Sequence, residues 1–349
     1  MKRFSMALLF SAMALMVATP ALADYSLYGS ARMATYLTEG TGPVHGGYDS
    51  DVNWELQSNS RIGGKFNNEA IGGRFEYGTG VNLRLLYGTW DFGKGTVLVG
   101  QDYTPYGFGS WEVANVDNGF AGLGDSYDGR LPQIRVDMEN GFWFAAIKNH
   151  AQELKGRGTT APDYRPGDYD FWLPKLAVGY MHDVGYLAYG ASLAYQNYEL
   201  DEESVDSYMA AFNWKTNAGP VALQGNIFYG QNLGDFGMQD WVSDLDDGVG
   251  YGYYDAALDE DATTLAGYVQ ASYAFGKVLG VAGVGYKADD SDAYAEKDEQ
   301  FGYFVQAHIP LAENFNVIPH YTVYDLMDDE AGNDEGDLYY AGIKWQIDF

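Results

Sequence analysis

The links between the alternating apolar segments of this chain come in two lengths, and the lengths take turns. Tight turns at Asn67-Asn68, Gly93-Lys94, Glu139-Asn140 and Gly276-Lys277 are separated by mostly longer links over 38–52, 104–129, 150–171, 232–260, 289–299 and 326–336. Short connections at one end and long ones at the other give the chain two unlike ends, the rhythm of an antiparallel β-barrel that crosses a membrane. A soluble sandwich has no reason to sort its loops by parity.

Between these links, sixteen segments read as strands from alternation and turn punctuation. They run over 25–37, 53–66, 70–79, 81–92, 95–103, 130–138, 141–149 and 172–183, then 185–199, 204–215, 219–231, 261–275, 278–288, 300–310, 313–325 and 337–349. The last shows the pattern best. Tyr339, Ala341, Ile343, Trp345, Ile347 and Phe349 share one face, while Tyr340, Gly342, Lys344, Gln346 and Asp348 share the other. In the second, Trp54, Leu56, Ile62 and Phe66 alternate with Glu55, Gln57, Asn59, Arg61 and Lys65. A half-buried strand of a soluble protein alternates in the same way, so the pattern alone does not separate the two. The 30 Tyr, 18 Phe and 45 Gly, with no apolar run long enough for a spanning helix past the N-terminus, favour strands that face lipid and water by turns.

Lys2 and Arg3, the apolar run Met6–Ala18 and the small-x-small pattern Ala21-Leu22-Ala23 read as a secretory signal peptide over 1–23. The expected mature chain, 24–349, is a single barrel domain. It has no cysteine, so disulfides and thiolate metal sites are excluded. The formal net charge of −29 argues against a nucleic-acid partner. The acid gathers in Asp235–Asp261, Asp289–Glu299 and Asp325–Asp337, read first as solvated, self-repelling loops. A second reading puts Ca²⁺ or Mg²⁺ on loop carboxylates such as Asp328, Asp329, Glu330 and Asp334, bridging them to each other or to lipopolysaccharide phosphates, although the segment lacks the EF-hand order. Otherwise no cofactor is expected.

Enzyme chemistry has little to stand on. His45, His150, His182, His308 and His320 lie in five separate segments, none at a metal-ligand spacing, and no serine sits in a G-x-S-x-G elbow. Gly88–Lys94 has the spacing of a phosphate-binding loop, but Gly95 replaces the required hydroxyl residue and no helix follows.

One link stands out. Residues 104–129 fit neither strand nor helix, and a structureless stretch of that length inside a compact region is read as a functional loop.

Four stretches carry a family likeness. Asp24-Tyr25-Ser26-Leu27-Tyr28-Gly29, Ser60-Arg61-Ile62-Gly63-Gly64-Lys65, the run Trp90-Asp91-Phe92-Gly93 through Gly95–Gln101 with Pro105 following, and the closing Phe349 resemble the trimeric general porins of Gram-negative outer membranes. Charge and glycine content look like the porins of sulfate-reducing bacteria. The resemblance implies a homotrimer in outer-membrane lipid and lipopolysaccharide. It also implies passive passage of small polar solutes, and Phe349 as the signal read by the barrel assembly machinery. It implies that the third long link, 104–129, folds into the barrel as a constriction. On that link Glu112, Asp117, Asp125 and Asp128 become candidate acidic lining, and Arg61 stands at the family's wall arginine. Alternation adds Arg32, Arg74, Arg84 and Arg135 to lumen faces, with Arg130 at the loop's exit.

The chain departs from the family at three places. Pro105-Tyr106-Gly107-Phe108-Gly109-Ser110 replaces the P-E-F-G-G-D consensus, Leu98 and Gln101 stand where relatives are often basic, and Tyr77–Val81 is too short to latch a neighbouring subunit. The loss of basic sites and the acidic mouth imply a mild cation preference. A substrate-specific channel, for instance for sugars on a tyrosine track, and a calcium-binding structural or adhesive surface barrel remain the alternatives.

Overall fold

Strict in–out alternation makes every strand of this chain two-faced, and the chain satisfies both faces by closing on itself. The computed structural model describes residues 24–42, 51–107, 109, 120, 123–149, 169–200, 203–238, 252–254, 259–292, 294–329 and 331–349. The expected signal peptide lies outside them. The strand segments are β1 Asp24–Gly40, β2 Asp51–Leu56, β3 Arg61–Asn68, β4 Ile71–Gly78, β5 Leu83–Asp91, β6 Gly95–Tyr103, β7 Arg130–Met138, β8 Phe142–Ile147 and β9 Tyr169–Asp170. They continue as β10 Lys175–Asp183, β11 Leu187–Leu200, β12 Glu203–Ala218, β13 Val221–Gln231, β14 Thr263–Phe275, β15 Val278–Asp290, β16 Asp298–Ala312, β17 Phe315–Asp325 and β18 Asp337–Asp348.

Two pairs of segments are single barrel strands with an interruption. Both β2 and β3 pair with β1, and both β9 and β10 pair with β11, so the eighteen segments make a closed antiparallel barrel of sixteen strands. The sequence expectation of one unbroken strand over 53–66 is corrected here. Residues 57–60 stand opposite only Ala31 and Arg32 of β1, a bulge in which Ser60 Oγ accepts from the Arg32 amide and donates to its carbonyl. The two surplus residues preserve parity, so Trp54, Leu56, Ile62 and Phe66 all still face outward and are exposed.

The seam joins β1 to β18 from Ser30↔Asp348 to Gly40↔Leu338, and Phe349 extends it by exchanging both backbone bonds with Gly29. Among the described residues the strands form one closed sheet with no free edge. The outer surface is a band of aliphatic side chains, including Leu193, Ile227, Val269 and Val305, between two aromatic belts. Tyr25, Phe66, Trp90, Phe142, Tyr186, Phe275 and Phe349 ring the turn end. Trp54, Tyr77, Tyr195, Tyr208, Tyr229, Tyr303 and Tyr321 ring the loop end. Aromatic rings, half apolar and half polar, suit the two edges of a bilayer, so this face fits a membrane.

Two substitutions separate backbone from side-chain crowding at the seam. A Cβ at Gly342 would stand 2.3 Å from the Thr35 carbonyl, whereas one at Gly29 would meet only the Phe349 ring, at 2.5 Å. Gly342→Val should therefore destabilise the barrel by about 1–3 kcal/mol and Gly29→Ala by less. The temperature at which the folded band is lost on cold detergent gels orders the two.

Candidate functional site: a constriction inside the barrel

The link after β6 turns inward. Tyr106 lies among Trp143, Ile147, Met209 and Phe228, which are lumen-facing residues of β8, β12 and β13. Its carbonyl accepts from Ser192 Oγ and Asn213 Nδ2, both at 3.0 Å. Gln224 holds the Gly109 carbonyl at 2.9 Å. Further on, Phe120 and Leu123 pack with Tyr268, Val281, Phe304, Tyr324 and Leu338 from β14 to β18. The approach requires glycine. Leu123 and Phe120 lie where side chains on Gly285 and Gly302 would be, and Gly124, at φ +96°, presses on the Gly267 backbone.

The expected acids of this loop have different places. Glu112 and Asp117 lie outside the described residues. Asp125 accepts from Asn226 Nδ2 at 3.1 Å on β13. Asp128 is buried, and Lys175 Nζ of β10 donates to its Oδ2 at 2.6 Å. Tyr106 Oη donates to the same oxygen at 3.4 Å. Burial, with the Asp128 charge beside it, pushes the Tyr106 phenol well up and keeps it a donor. Both described acids therefore point to the wall the loop leans on, rather than across to the arginines.

Those arginines occupy the opposite arc. Glu76 of β4, which the sequence reading passed over, is their hub, with a side chain that has no exposed surface. Arg84 Nε lies 2.8 Å from Glu76 Oε1, Arg74 Nη2 lies 3.0 Å from Oε2 and Arg61 Nη1 lies 3.7 Å from Oε1. Tyr28 Oη donates to Oε2 at 2.8 Å and accepts from Arg74 Nε at 2.8 Å. Arg84 reaches this cluster through a β-bulge. Glu76 pairs with Leu85 and Tyr77 with Leu83, which leaves Arg84 as the surplus residue. One carboxylate among three guanidiniums leaves a net positive cluster whose geometry the carboxylate fixes. A lumen-face Glu within two positions of an Arg is too ordinary to be singled out from sequence.

Around it, Arg32 Nε donates to Ser30 Oγ at 2.9 Å, and Arg135 lies 2.9 Å from Asp137 and 3.6 Å from Asp102. Arg130 lies over the rings of Tyr103 and Tyr127, at 5.7 and 6.0 Å. At the loop end Asp329 spends its carboxylate on its own turn, accepting from the amides of Ala331 and Asn333 and from Asn333 Nδ2. Asp328 and Asp334 bridge across that turn, Glu330 lies outside the described residues, and no group of three metal-ligating side chains occurs among the described residues.

A second link also enters the barrel. After β13, Asn232 takes a left-handed conformation (φ 53°), and a single 3-10 turn, Leu233–Phe236, drops Leu233, Phe236 and Met238 into the cluster around Tyr106. Sequence reading took 232–260 as an acidic outer link. The signal against that was local, with Leu233, Phe236 and Met238 close together at the start of an acid-rich run. This strap clasps the loop directly. Tyr127 N donates to the Gly237 carbonyl at 2.8 Å, Ser126 Oγ donates to the Phe236 carbonyl, and Lys175 donates to the Asp235 carbonyl. The Asp235 carboxylate accepts from Ser207 Oγ. Burial pushes its pKa up to about 7 against the pull of Ser207 and Lys175.

These features define a class by architecture: a closed sixteen-strand barrel, narrowed from within by an infolded loop. Solved structures share the barrel fold. The chain is similar to the outer membrane channel DcaP of Acinetobacter baumannii, with TM-score 0.74 and 17% identity over 95% of this chain and 99% of that one. It is similar to an anion-selective porin from Comamonas acidovorans, with TM-score 0.63 and 15% identity over 94% and 100%. It is also similar to the outer-membrane protein OmpT of Vibrio cholerae, with TM-score 0.59 and 14% identity over 95% and 99%. At these identities the likeness is one of fold. No protein-family description matches the chain, and no curated protein sequence does.

Breaking the Lys175–Asp128 pair from one side strands a buried charge, which costs about 3–5 kcal/mol, whereas replacing both partners by apolar residues of similar volume is often neutral. Asp128→Asn should therefore lower the unfolding midpoint and expose 104–129 to protease, while Asp128→Leu with Lys175→Met should recover most of the loss. Asp235 gives a pH test. With its pKa raised from 3.8 to about 7 on folding, its contribution is fully present below about pH 4 and is lost as pH rises through 7. The clasp should loosen over that window, read as protease cutting near 233–238, and Asp235→Asn should remove the dependence.

Proposed function

We propose that the chain is an outer-membrane porin, a water-filled channel for passive diffusion of small hydrophilic solutes and ions, working as a homotrimer. The observation that carries this is the division of the lumen. The described loop residues lean on β8 and β10–β18, and the arginines Arg32, Arg61, Arg74 and Arg84 stand on the arc from β1 to β5. In this reading the space between them is a polar passage.

In such a gap fixed charge raises the local concentration of counter-ions and orients dipolar solutes, while apolar solutes lose hydration without compensation. Asp125 and Asp128 are engaged on the loop's own side, so of the acidic lining expected from the sequence Glu112 and Asp117 remain candidates, and both lie outside the described residues. The acid-rich links at the mouth supply the mild cation preference. In this reading residues 1–23 direct export, Phe349 is the assembly signal, and the likeness to porins of sulfate-reducing bacteria rests on charge and glycine content.

Planar-bilayer recording tests the channel. Stepwise conductance is expected, and its absence sinks the reading. In a KCl gradient the reversal potential should show cations favoured, and Arg61→Ser with Arg74→Ser should strengthen that preference and raise the single-channel current. A clear anion preference in the unaltered protein refutes the selectivity claim.

A further inference from the structure

The constriction loop and the strap hold each other through one buried cluster. Lys175 Nζ donates both to Asp128 Oδ2 of the loop and to the Asp235 carbonyl of the strap, so a single ammonium serves the two segments. Two further bonds join them directly, from Tyr127 N to the Gly237 carbonyl and from Ser126 Oγ to the Phe236 carbonyl. Phe236 lies edge-on to Tyr106 with ring centroids 6.0 Å apart, and Gly237, at φ 81°, sits against the Tyr127–Asp128 backbone where a side chain would collide. A shift of the strap therefore carries residues 126–128 of the loop with it.

One group in this cluster changes charge near neutrality. Facing Asp235 are Lys175 from β10, Tyr198 from β11 and Asp128 from the loop, and Ser207 Oγ of β12 donates to its carboxylate. Tyr106 joins through Asp128 Oδ2. While the Asp235 carboxyl is neutral, the ammonium balances the carboxylate of Asp128. Burial holds that state up to about pH 7. Beyond it two buried carboxylates share one ammonium, and the cluster carries net negative charge away from water. Gln196 of β11 gives water a place to enter. It pairs with Ser207 and lies one step past the Leu176↔Tyr195 pair, beside Lys175. It is 1% exposed, and neither end of its carboxamide has a partner among the described residues. An unmet donor and acceptor next to a newly charged carboxylate favour hydration over a dry clasp.

We propose that residues 232–238 are a pH-operated latch on the constriction loop: ionisation of Asp235 releases the latch, and the freed loop intermittently blocks the passage as the solution turns alkaline. The proposal rests on the channel reading, and planar-bilayer recording separates the two. Conductance steps at about pH 5 report the channel; closures that grow with pH report the latch. In the unaltered protein the fraction of time spent closed should rise roughly tenfold between about pH 6 and pH 8, as the ionised fraction of a group titrating near 7 does. Asp235→Asn, which keeps the shape and cannot ionise, should stay steady over that range while its steps persist. Ser207→Ala, which removes the hydroxyl that favours the ionised form, should move the midpoint to higher pH. No rise in the unaltered protein, a rise that survives in Asp235→Asn, or a midpoint in Ser207→Ala that stays or falls overturns the latch and leaves the channel standing. Absence of steps at about pH 5 in the unaltered protein removes both.

Discussion

A peptide group left unpaired away from water costs several kcal/mol, and closure of the sheet on itself avoids that penalty. It forces the ladder between β1 and β18, makes the last residue part of that ladder through Gly29, and turns the bulge at Ser60 into a place where a hydroxyl stands in for a missing backbone partner. Once the wall is closed, alternation assigns each side chain to lipid or lumen. Everything chemically specific then happens on the inside.

Inside, the two halves of the lumen solve different problems. The tall strands β11–β17 present apolar patches among polar anchors, and against these the loop and the strap bury Tyr106, Phe120, Leu123 and Phe236. The shorter strands β3–β7 carry charge held in place by charge, with Glu76 organising three arginines that would otherwise repel one another. Burying an ion pair such as Lys175–Asp128 brings little net stability for the desolvation it costs, but it fixes one loop position among many.

The fold was legible because it is periodic. Parity survived even the bulge in β2 and β3, since two surplus residues keep the face, and the sorting of links by length marked the two ends. The loop was legible as the long stretch that refused to alternate. What sequence could not show was pairing across distance: Lys175 finds Asp128 47 positions away, and no local pattern encodes it. Glu76 was hidden by its ordinariness. Arg84, which alternation assigned to the lumen, joins the Glu76 cluster as the surplus residue of a bulge that alternation does not contain, and the strap was masked by the acid around Leu233, Phe236 and Met238.

The loop's anchors carry a consequence for how such a chain comes together. Tyr106 and Gly109 are held by Ser192, Asn213 and Gln224, which follow them by 86 to 115 positions. Contacts so distant along the chain form late, after the entropy of closing long loops has been met. Yet a finished cylinder with a filled interior offers no easy door for a segment with Phe120 and Leu123 at its core. A barrel that closes around its loop, rather than one that admits it afterwards, is the order of assembly these anchors favour.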